Sequence, residues 1–111
     1  MTPEGRIKAM VNKGLKAIQE RYPGLLWVRM PVTRGMGCPW LDYHLCVGDR
    51  GTTIAIETKR DALHHLTPQQ EATKRELEAA GATVHVVYDA DTMEYAMFQI
   101  EKVLFHAYGP R

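Results

Sequence analysis

The fold class of this chain is decided by one short stretch, Thr52-Thr53-Ile54-Ala55-Ile56-Glu57-Thr58-Lys59. Its β-branched and apolar residues predict a buried strand over residues 52–58. A similar run over residues 41–47 precedes it, and the tetrapeptide Gly48-Asp49-Arg50-Gly51 between them has the composition of a hairpin turn. We therefore expect these two strands to pair antiparallel.

Downstream of this hairpin, the sequence predicts a parallel partner for its second strand. Thr67 opens a helix that Gly81 closes in the position favouring a left-handed backbone, and a Val-rich strand over residues 83–88 follows. A strand, a crossover helix and a second buried strand form a parallel pair. The sheet is therefore predicted to be mixed.

Helices are predicted at both ends of the chain. Apolar residues at helical spacing predict a first helix over residues 3–20, with Thr2 as its N-cap, and a short strand over residues 25–30 comes next. Residues 91–94 cap a last helix, and residues 108–111 form a frayed tail. The order αβββαβα predicts an α/β structure with helices on a mixed sheet.

Length and composition fit one compact domain spanning residues 1–111, because the chain is 45% hydrophobic and 24% charged. No apolar run approaches the roughly 18 residues of a membrane span, and the charged N-terminal segment does not resemble an export signal. Cys38 and Cys46 match no disulfide framework or Cys-x-x-Cys pair. We expect a soluble, cytoplasmic protein with reduced thiols.

The charge balance limits how the chain could bind nucleic acid. Fourteen Lys and Arg residues stand against 13 Asp and Glu, a net charge of +1. The molecule therefore lacks the overall positive field of a protein that coats DNA, and any such binding must be local.

The informative polar residues lie at one end of the predicted hairpin. Glu57 and Lys59 project from the same face of their strand, and the hairpin places Asp42 opposite them. Two carboxylates about 4 Å apart repel by on the order of 4 kcal/mol at an effective dielectric of 20, unless a cation or proton lies between them. A divalent cation such as Mg²⁺ would resolve that conflict and activate a water beside Lys59.

The same pattern also has a structural interpretation, because Glu-x-Lys occurs by chance on exposed, ion-paired strands. A charged pair at the end of a buried strand, however, lies where sites in α/β proteins tend to occur. This position favours a functional interpretation.

Four segments together resemble a known family. They are Gly37-Cys38-Pro39-Trp40-Leu41-Asp42, Ala55-Ile56-Glu57-Thr58-Lys59, Thr67-Pro68-Gln69-Gln70 and Ala79-Ala80-Gly81-Ala82-Thr83-Val84. They are similar to the small VRR-NUC branch of the PD-(D/E)xK nucleases, and the likeness covers residues 2–89. Trp40 and Leu41 intervene before Asp42, whereas the common pattern of the branch has Asp directly after Gly-x-Pro.

The resemblance implies a restriction-endonuclease-like fold and a phosphodiesterase that cuts DNA with Mg²⁺ or Mn²⁺. Relatives include Holliday-junction resolvases, so a preference for branched or flapped DNA is implied. Short stand-alone members are typical of bacteriophages and prophages, which implies a site of action in the bacterial host cytoplasm.

Carried over by position, the resemblance implies a set of site residues. Asp42, Glu57 and the Thr58 carbonyl would hold the metal, and Lys59 would orient or activate the attacking water. Glu4 and Gln70 would complete the site.

Glu4 and Gln70 have structural alternatives. An acidic residue such as Glu4 in the first turn is favoured by the helix dipole. Gln70 three residues after Thr67 completes a capping box, and Gln69 competes for its role.

Several residues near the proposed site are candidates for contacting DNA. Arg34 and Lys74 could bind phosphates, and Gly37 belongs to a glycine-containing segment that lets the backbone approach one, although a simple turn and scattered surface charge explain them equally well. Tyr43 could stack on a base or pack in the core. The spacing of the histidines and cysteines fits no recurring zinc site.

Two rival functions stay open at this stage: a non-catalytic DNA-binding or assembly module on the same fold, and a nuclease that acts on RNA. A symmetric homodimer is a further hypothesis, because a small nuclease that cuts both strands often works as a pair.

Overall fold

The structure is a computed structural model that describes residues 2–31 and 41–111. Within these two segments the chain forms three helices and four strands. In chain order they are α1 (Pro3–Arg21), β1 (Leu26–Arg29), β2 (Tyr43–Val47), β3 (Thr52–Thr58), α2 (Pro68–Ala79), β4 (Thr83–Val87) and α3 (Ala90–Tyr108). The predicted order αβββαβα is confirmed.

The strands form one mixed sheet in the order β1-β2-β3-β4. β1 and β2 pair antiparallel, as do β2 and β3, whereas β3 and β4 pair in parallel. Tyr43 lies opposite Ile56 in the second of these ladders. This register places Asp42, one residue before β2, opposite Glu57.

Successive residues of β3 pack on opposite faces of the sheet. Ile54 and Ile56 belong to the main core, which α1 and α3 complete from one side. Ala55 belongs to a smaller cluster with Leu41 and Val84, against which Leu77 of α2 packs from the other side. Residues 54–58 of β3 are all buried, which explains the continuous apolar run that identified this strand.

Polar caps fix where the first two helices begin. The Thr2 hydroxyl accepts a hydrogen bond from the Gly5 N–H at 3.0 Å. Thr67 and Gln70 form a reciprocal capping box at the start of α2. After α2, Gly81 adopts a φ of +97°, which a residue with a Cβ would adopt only with strain.

The last helix differs from its prediction at both ends. Its N-cap is Asp89 rather than a residue of 91–94, and Asp89 forms a capping box with Thr92. α3 continues to Tyr108, whose hydroxyl accepts a hydrogen bond from the Asp49 N–H at 2.7 Å. Gly109 is also held, because its carbonyl accepts a hydrogen bond from the Tyr22 hydroxyl at 2.9 Å. The expected frayed tail is therefore wrong, because long-range polar contacts anchor it.

Some predictions concern residues that the structure does not describe. Arg34, Gly37, Cys38 and Trp40 lie outside the described residues. Cys46 is a free, exposed thiol. In the described part of the chain, no helix is both long and apolar enough to cross a membrane.

Adjacent residues of α3 test which face of the helix supports the fold. Leu104 is 0% exposed in the main core, whereas Phe105 is 55% exposed. Leu104→Ala should lower the free energy of unfolding by about 2–5 kcal/mol, and Phe105→Ala by about 0.5 kcal/mol or less. Urea denaturation of both variants checks this. An equal or larger loss for Phe105→Ala would contradict the orientation of α3.

Candidate active site

The charged residues singled out in the sequence meet at one end of the sheet, where β3 ends and β2 begins. The Asp42 N–H donates a hydrogen bond to Glu57 Oε1 at 2.9 Å. The two residues are therefore cross-strand neighbours, as the hairpin predicted.

The Asp42 carboxylate is held in place by Thr58, the last residue of β3, and by Lys8 of α1. Its Oδ2 accepts hydrogen bonds from the Thr58 N–H at 2.9 Å and from the Thr58 hydroxyl at 2.5 Å. Its Oδ1 lies 3.8 Å from Lys8 Nζ, and the Asp42 side chain is 22% exposed. Asp42 therefore keeps a fixed orientation while remaining accessible to a ligand.

Glu57 is almost completely buried, with 3% of its surface exposed. Gln70 Nε2 donates a hydrogen bond to its Oε2 at 2.7 Å, and Lys59 Nζ lies 3.5 Å from the same oxygen. Burial, together with the nearby charge of Asp42, raises the pKa of Glu57 to about 7, against the opposing effects of the hydrogen bond from the Asp42 N–H and of Lys59. Without a cation, the paired carboxylates therefore favour a proton on Glu57 near neutral pH.

Gln70 connects the two charged side chains at the end of β3. Its Oε1 accepts hydrogen bonds from Lys59 Nζ and from the Thr67 N–H, each at 3.0 Å. Gln70 therefore caps α2 and also contacts Glu57 and Lys59. The competing residue, Gln69, is exposed.

The backbone of Thr58 supplies a third group at this edge. The Lys59 N–H donates to the Val87 carbonyl on β4 at 2.9 Å. Because backbone polar groups of successive strand residues point to opposite edges, the Thr58 N–H and carbonyl point toward Asp42 instead. The Thr58 hydrogen bond to Asp42 Oδ2 agrees with this direction.

Two other predicted residues stand farther from this cluster. Glu4 lies in the first turn of α1, half-buried, and its carboxylate makes no hydrogen bond or ion pair with any described residue. It is one helical turn before Lys8, so it shares the face of α1 that reaches Asp42. Lys74 is one turn beyond Gln70 on α2, and its ammonium contacts Glu78 Oε1 at 3.1 Å.

Sequence reasoning named Glu4 on α1 but missed Lys8 and Asn12 on the same helix. Lys8 approaches Asp42, and the Tyr43 hydroxyl donates a hydrogen bond to Asn12 Oδ1 at 2.7 Å. Tyr43 is buried in the main core, so its ring is not available to stack on a base. Glu4, Lys8 and Asn12 recur at intervals of four on α1, a polar line that could have indicated this face.

The donor set fits a hard divalent cation. Asp42, Glu57 and the Thr58 carbonyl present oxygen donors at one sheet end, and Mg²⁺ prefers one or two carboxylates completed by other oxygen ligands. No cluster of three or more His, Cys, Asp and Glu residues suited to a metal occurs in the described residues.

Comparisons with known proteins identify the fold. No family model and no curated protein sequence matches the chain. A solved structure described as "VRR_NUC domain" superposes with a TM-score of 0.63 at 22% sequence identity, covering 97% of this chain and 100% of the other. The chain has a VRR-NUC-type fold. The resemblance stated from the sequence is confirmed at this level.

The raised pKa of Glu57 predicts how stability changes with pH. Its folded-state pKa is about 7 against an ordinary value of 4.5, so folding disfavours the ionised form. The resulting stabilisation is present below the unfolded pKa and is lost as pH rises through the folded pKa. In EDTA, the free energy of unfolding of the wild type relative to Glu57→Gln should fall by roughly 1–3 kcal/mol between about pH 5 and about pH 8.

Urea denaturation at both pH values measures this difference. Glu78→Gln is the control, because Glu78 is exposed on α2. The difference in the free energy of unfolding between the wild type and Glu78→Gln should not vary between these pH values. The raised pKa of Glu57 would be contradicted if the difference in the free energy of unfolding between the wild type and Glu57→Gln did not vary with pH.

Proposed function

We propose that residues 1–111 form one nuclease domain, a divalent-metal-dependent DNA endonuclease that hydrolyses phosphodiester bonds, with a preference for branched or flapped DNA. One observation carries the proposal: on a VRR-NUC-type fold, Asp42 and Glu57 meet at the end of β3 beside Lys59 and Gln70.

In this proposal, Asp42, Glu57 and the Thr58 carbonyl hold Mg²⁺ or Mn²⁺. The bound cation would supply a nucleophile by lowering the pKa of a water molecule, and would offset negative charge on the phosphate. Binding a cation requires ionised carboxylates, so Glu57 would release the proton that it holds near neutral pH.

The side chains around the carboxylates then have distinct tasks. Lys59, with Nζ 3.5 Å from Glu57 Oε2 and a side chain 14% exposed, directs a positive charge at the reacting phosphate and orients the attacking water. Gln70 holds both Glu57 and Lys59 through its two amide atoms. Glu4 would reach the site from the first turn of α1.

Further parts of the proposal concern the substrate and assembly. Arg34, Gly37 and Lys74 would contact phosphates of the DNA backbone, Lys74 by exchanging its contact with Glu78 for one with DNA. The protein would act as a homodimer in the cytoplasm of a bacterial host of a phage or prophage. Because the two strands of DNA run in opposite directions, a two-fold symmetric pair presents one site to each.

A cleavage assay with site variants tests the function. Purified protein should cut DNA with Mg²⁺ or Mn²⁺ and stop in EDTA, and Asp42→Asn, Glu57→Gln and Lys59→Ala should each lower the rate by about 100-fold or more. Asp49→Asn, in the exposed turn at the other end of the sheet, is the matched control and should retain full activity. Circular dichroism checks that each variant is folded.

Other outcomes distinguish the rival functions. Retained cleavage by Asp42→Asn and Glu57→Gln would place the activity elsewhere or in a contaminant. DNA binding without cleavage, combined with no divalent-cation binding by calorimetry, would indicate a non-catalytic DNA-binding or assembly module. A panel of single-stranded, duplex, flap and four-way substrates in DNA and RNA separates a DNA nuclease from an RNA nuclease.

The adjacent glutamines provide a second test, directed at positioning. Gln70→Ala removes the amide that contacts Glu57 and Lys59, and should lower activity and Mn²⁺ affinity by about 10- to 100-fold. Gln69→Ala should leave both within about twofold, because Gln69 is exposed. Calorimetry with Mn²⁺ distinguishes lost positioning from lost helix capping. Unchanged Mn²⁺ affinity in Gln70→Ala would contradict the positioning role.

A further inference from the structure

A groove of about 520 Å³ lies beside the candidate active site, between the first half of α1 and the residues that follow β3 and β4. Its wall on α1 includes Arg6, Ile7 and Met10, and its opposite wall includes Arg60 and Tyr88. The volume lies in the range of about 300–1,000 Å³ that is common for ligand pockets.

The groove is lined by two arginines, Arg6 and Arg60, in a molecule whose net charge is only +1. Arg6 is exposed, and its guanidinium makes no hydrogen bond or ion pair with any described residue. Arg60 contacts Asp61 at 3.7 Å, a pair in which both side chains are about half exposed, 56% and 46%. Exposed pairs of this kind contribute little and exchange readily. Two guanidinium groups are therefore available to an anionic ligand.

The carboxylate that also borders the groove is engaged elsewhere. Asp89 Oδ1 accepts hydrogen bonds from the Thr92 N–H at 2.8 Å and from the Thr92 hydroxyl at 2.7 Å. These hydrogen bonds lower the pKa of Asp89 and hold it as the N-cap of α3. It is directed into its own helix cap and makes no ion pair with Arg6 or Arg60.

The lining of the groove also offers an apolar surface beside these charges. Ile7 is buried, Met10 and Tyr88 are half-buried, and all three line the groove. The Tyr88 N–H donates to the Thr92 hydroxyl at 3.0 Å, which fixes the backbone that carries the ring. Cationic side chains beside an aromatic surface suit a phosphate joined to a base.

The groove is also adjacent to the carboxylates along two strands. Arg60 directly follows Lys59, and the Lys59 N–H is bonded to Val87, the residue before Tyr88. A chain of nucleotides whose phosphate lies at Asp42 and Glu57 would pass the ends of β3 and β4 to reach this groove. A base can reach the Tyr88 ring only if it is out of the duplex stack.

We propose that this groove binds an unpaired nucleotide next to the phosphate that is cut, with Arg6 and Arg60 on the backbone phosphates and the base against Tyr88. The inference rests on the proposed function and narrows its substrate to DNA with an unstacked nucleotide beside the cut.

Fluorescence anisotropy in EDTA measures this binding without cleavage. The probe is a labelled DNA duplex with a single-stranded flap. Arg6→Gln combined with Arg60→Gln should weaken binding about tenfold and reduce the salt dependence, d log K/d log[salt], by about 1.4 for two phosphate contacts on a single strand. Arg50→Gln combined with Lys102→Gln removes the same charge from exposed positions outside the groove and should retain both values.

Variants of Tyr88 test the base contact separately. Tyr88→Leu should weaken flap binding about tenfold, whereas Tyr88→Phe keeps the aromatic face and should bind like the wild type. With Mn²⁺, Tyr88→Leu should raise KM for the flap substrate and leave its kcat within about twofold, because the residue does not contact the reacting atoms.

The outcomes separate this inference from the proposed function. The inference would be overturned if the Arg6/Arg60 variant bound the flap as tightly as the wild type, or no more weakly than the Arg50/Lys102 control. It would also be overturned if the wild type did not bind the flap. A continuous duplex that binds as tightly as the flap, with the same loss in Tyr88→Leu, would overturn the unpaired-nucleotide assignment. Absence of cleavage with any metal, together with a flap affinity that depends on Arg6, Arg60 and Tyr88, would overturn the nuclease proposal while supporting the groove.

Discussion

The buried carboxylate of Glu57 is the interaction on which the architecture of the site depends. A carboxylate removed from water loses most of its hydration, and it is tolerated only where hydrogen-bond donors or cations replace that water. Here the donors are the Asp42 N–H, Gln70 and Lys59. They bring the start of β2, the end of β3 and the first turn of α2 to one point.

This arrangement also gives Glu57 and Asp42 different burial and different contacts, although they are cross-strand neighbours. Glu57 is 3% exposed and its pKa is raised to about 7. Asp42 receives two hydrogen bonds from Thr58 and lies near Lys8, and its side chain is 22% exposed. In the proposed function, Glu57 would release a proton when a cation binds, and Asp42 would receive that cation without a change of orientation.

The same end of the sheet borders the basic groove, so the proposed chemistry and the proposed nucleic-acid contacts share their supporting elements. α1 carries Lys8 toward Asp42 and Arg6 toward the groove. The ends of β3 and β4 carry Lys59, Arg60 and Tyr88. Displacement of α1 against the sheet would therefore disturb both the carboxylates and the basic groove.

Short-range patterns predicted most of the fold. β3 was predicted with its observed bounds because burial on both faces produces an apolar run with clear ends. The cap of α3 was misplaced because Asp89 and Asp91 are both acceptable N-caps and only two residues apart. The tail was wrongly expected to fray because its anchors, Tyr22 and Asp49, are distant in sequence.

The sequence by itself determined the elements, their order, the mixed sheet and the pairing of Asp42 with Glu57, because strand alternation, caps and a hairpin turn act over a few residues. Only the tertiary structure decided which glutamine contacts Glu57, that Lys8 approaches Asp42, and that Arg6 and Arg60 line one groove. A surface lysine or arginine has the same local pattern whatever it faces. Its partner depends on how α1 packs across the sheet, and that packing sums many apolar contacts between residues far apart in the chain.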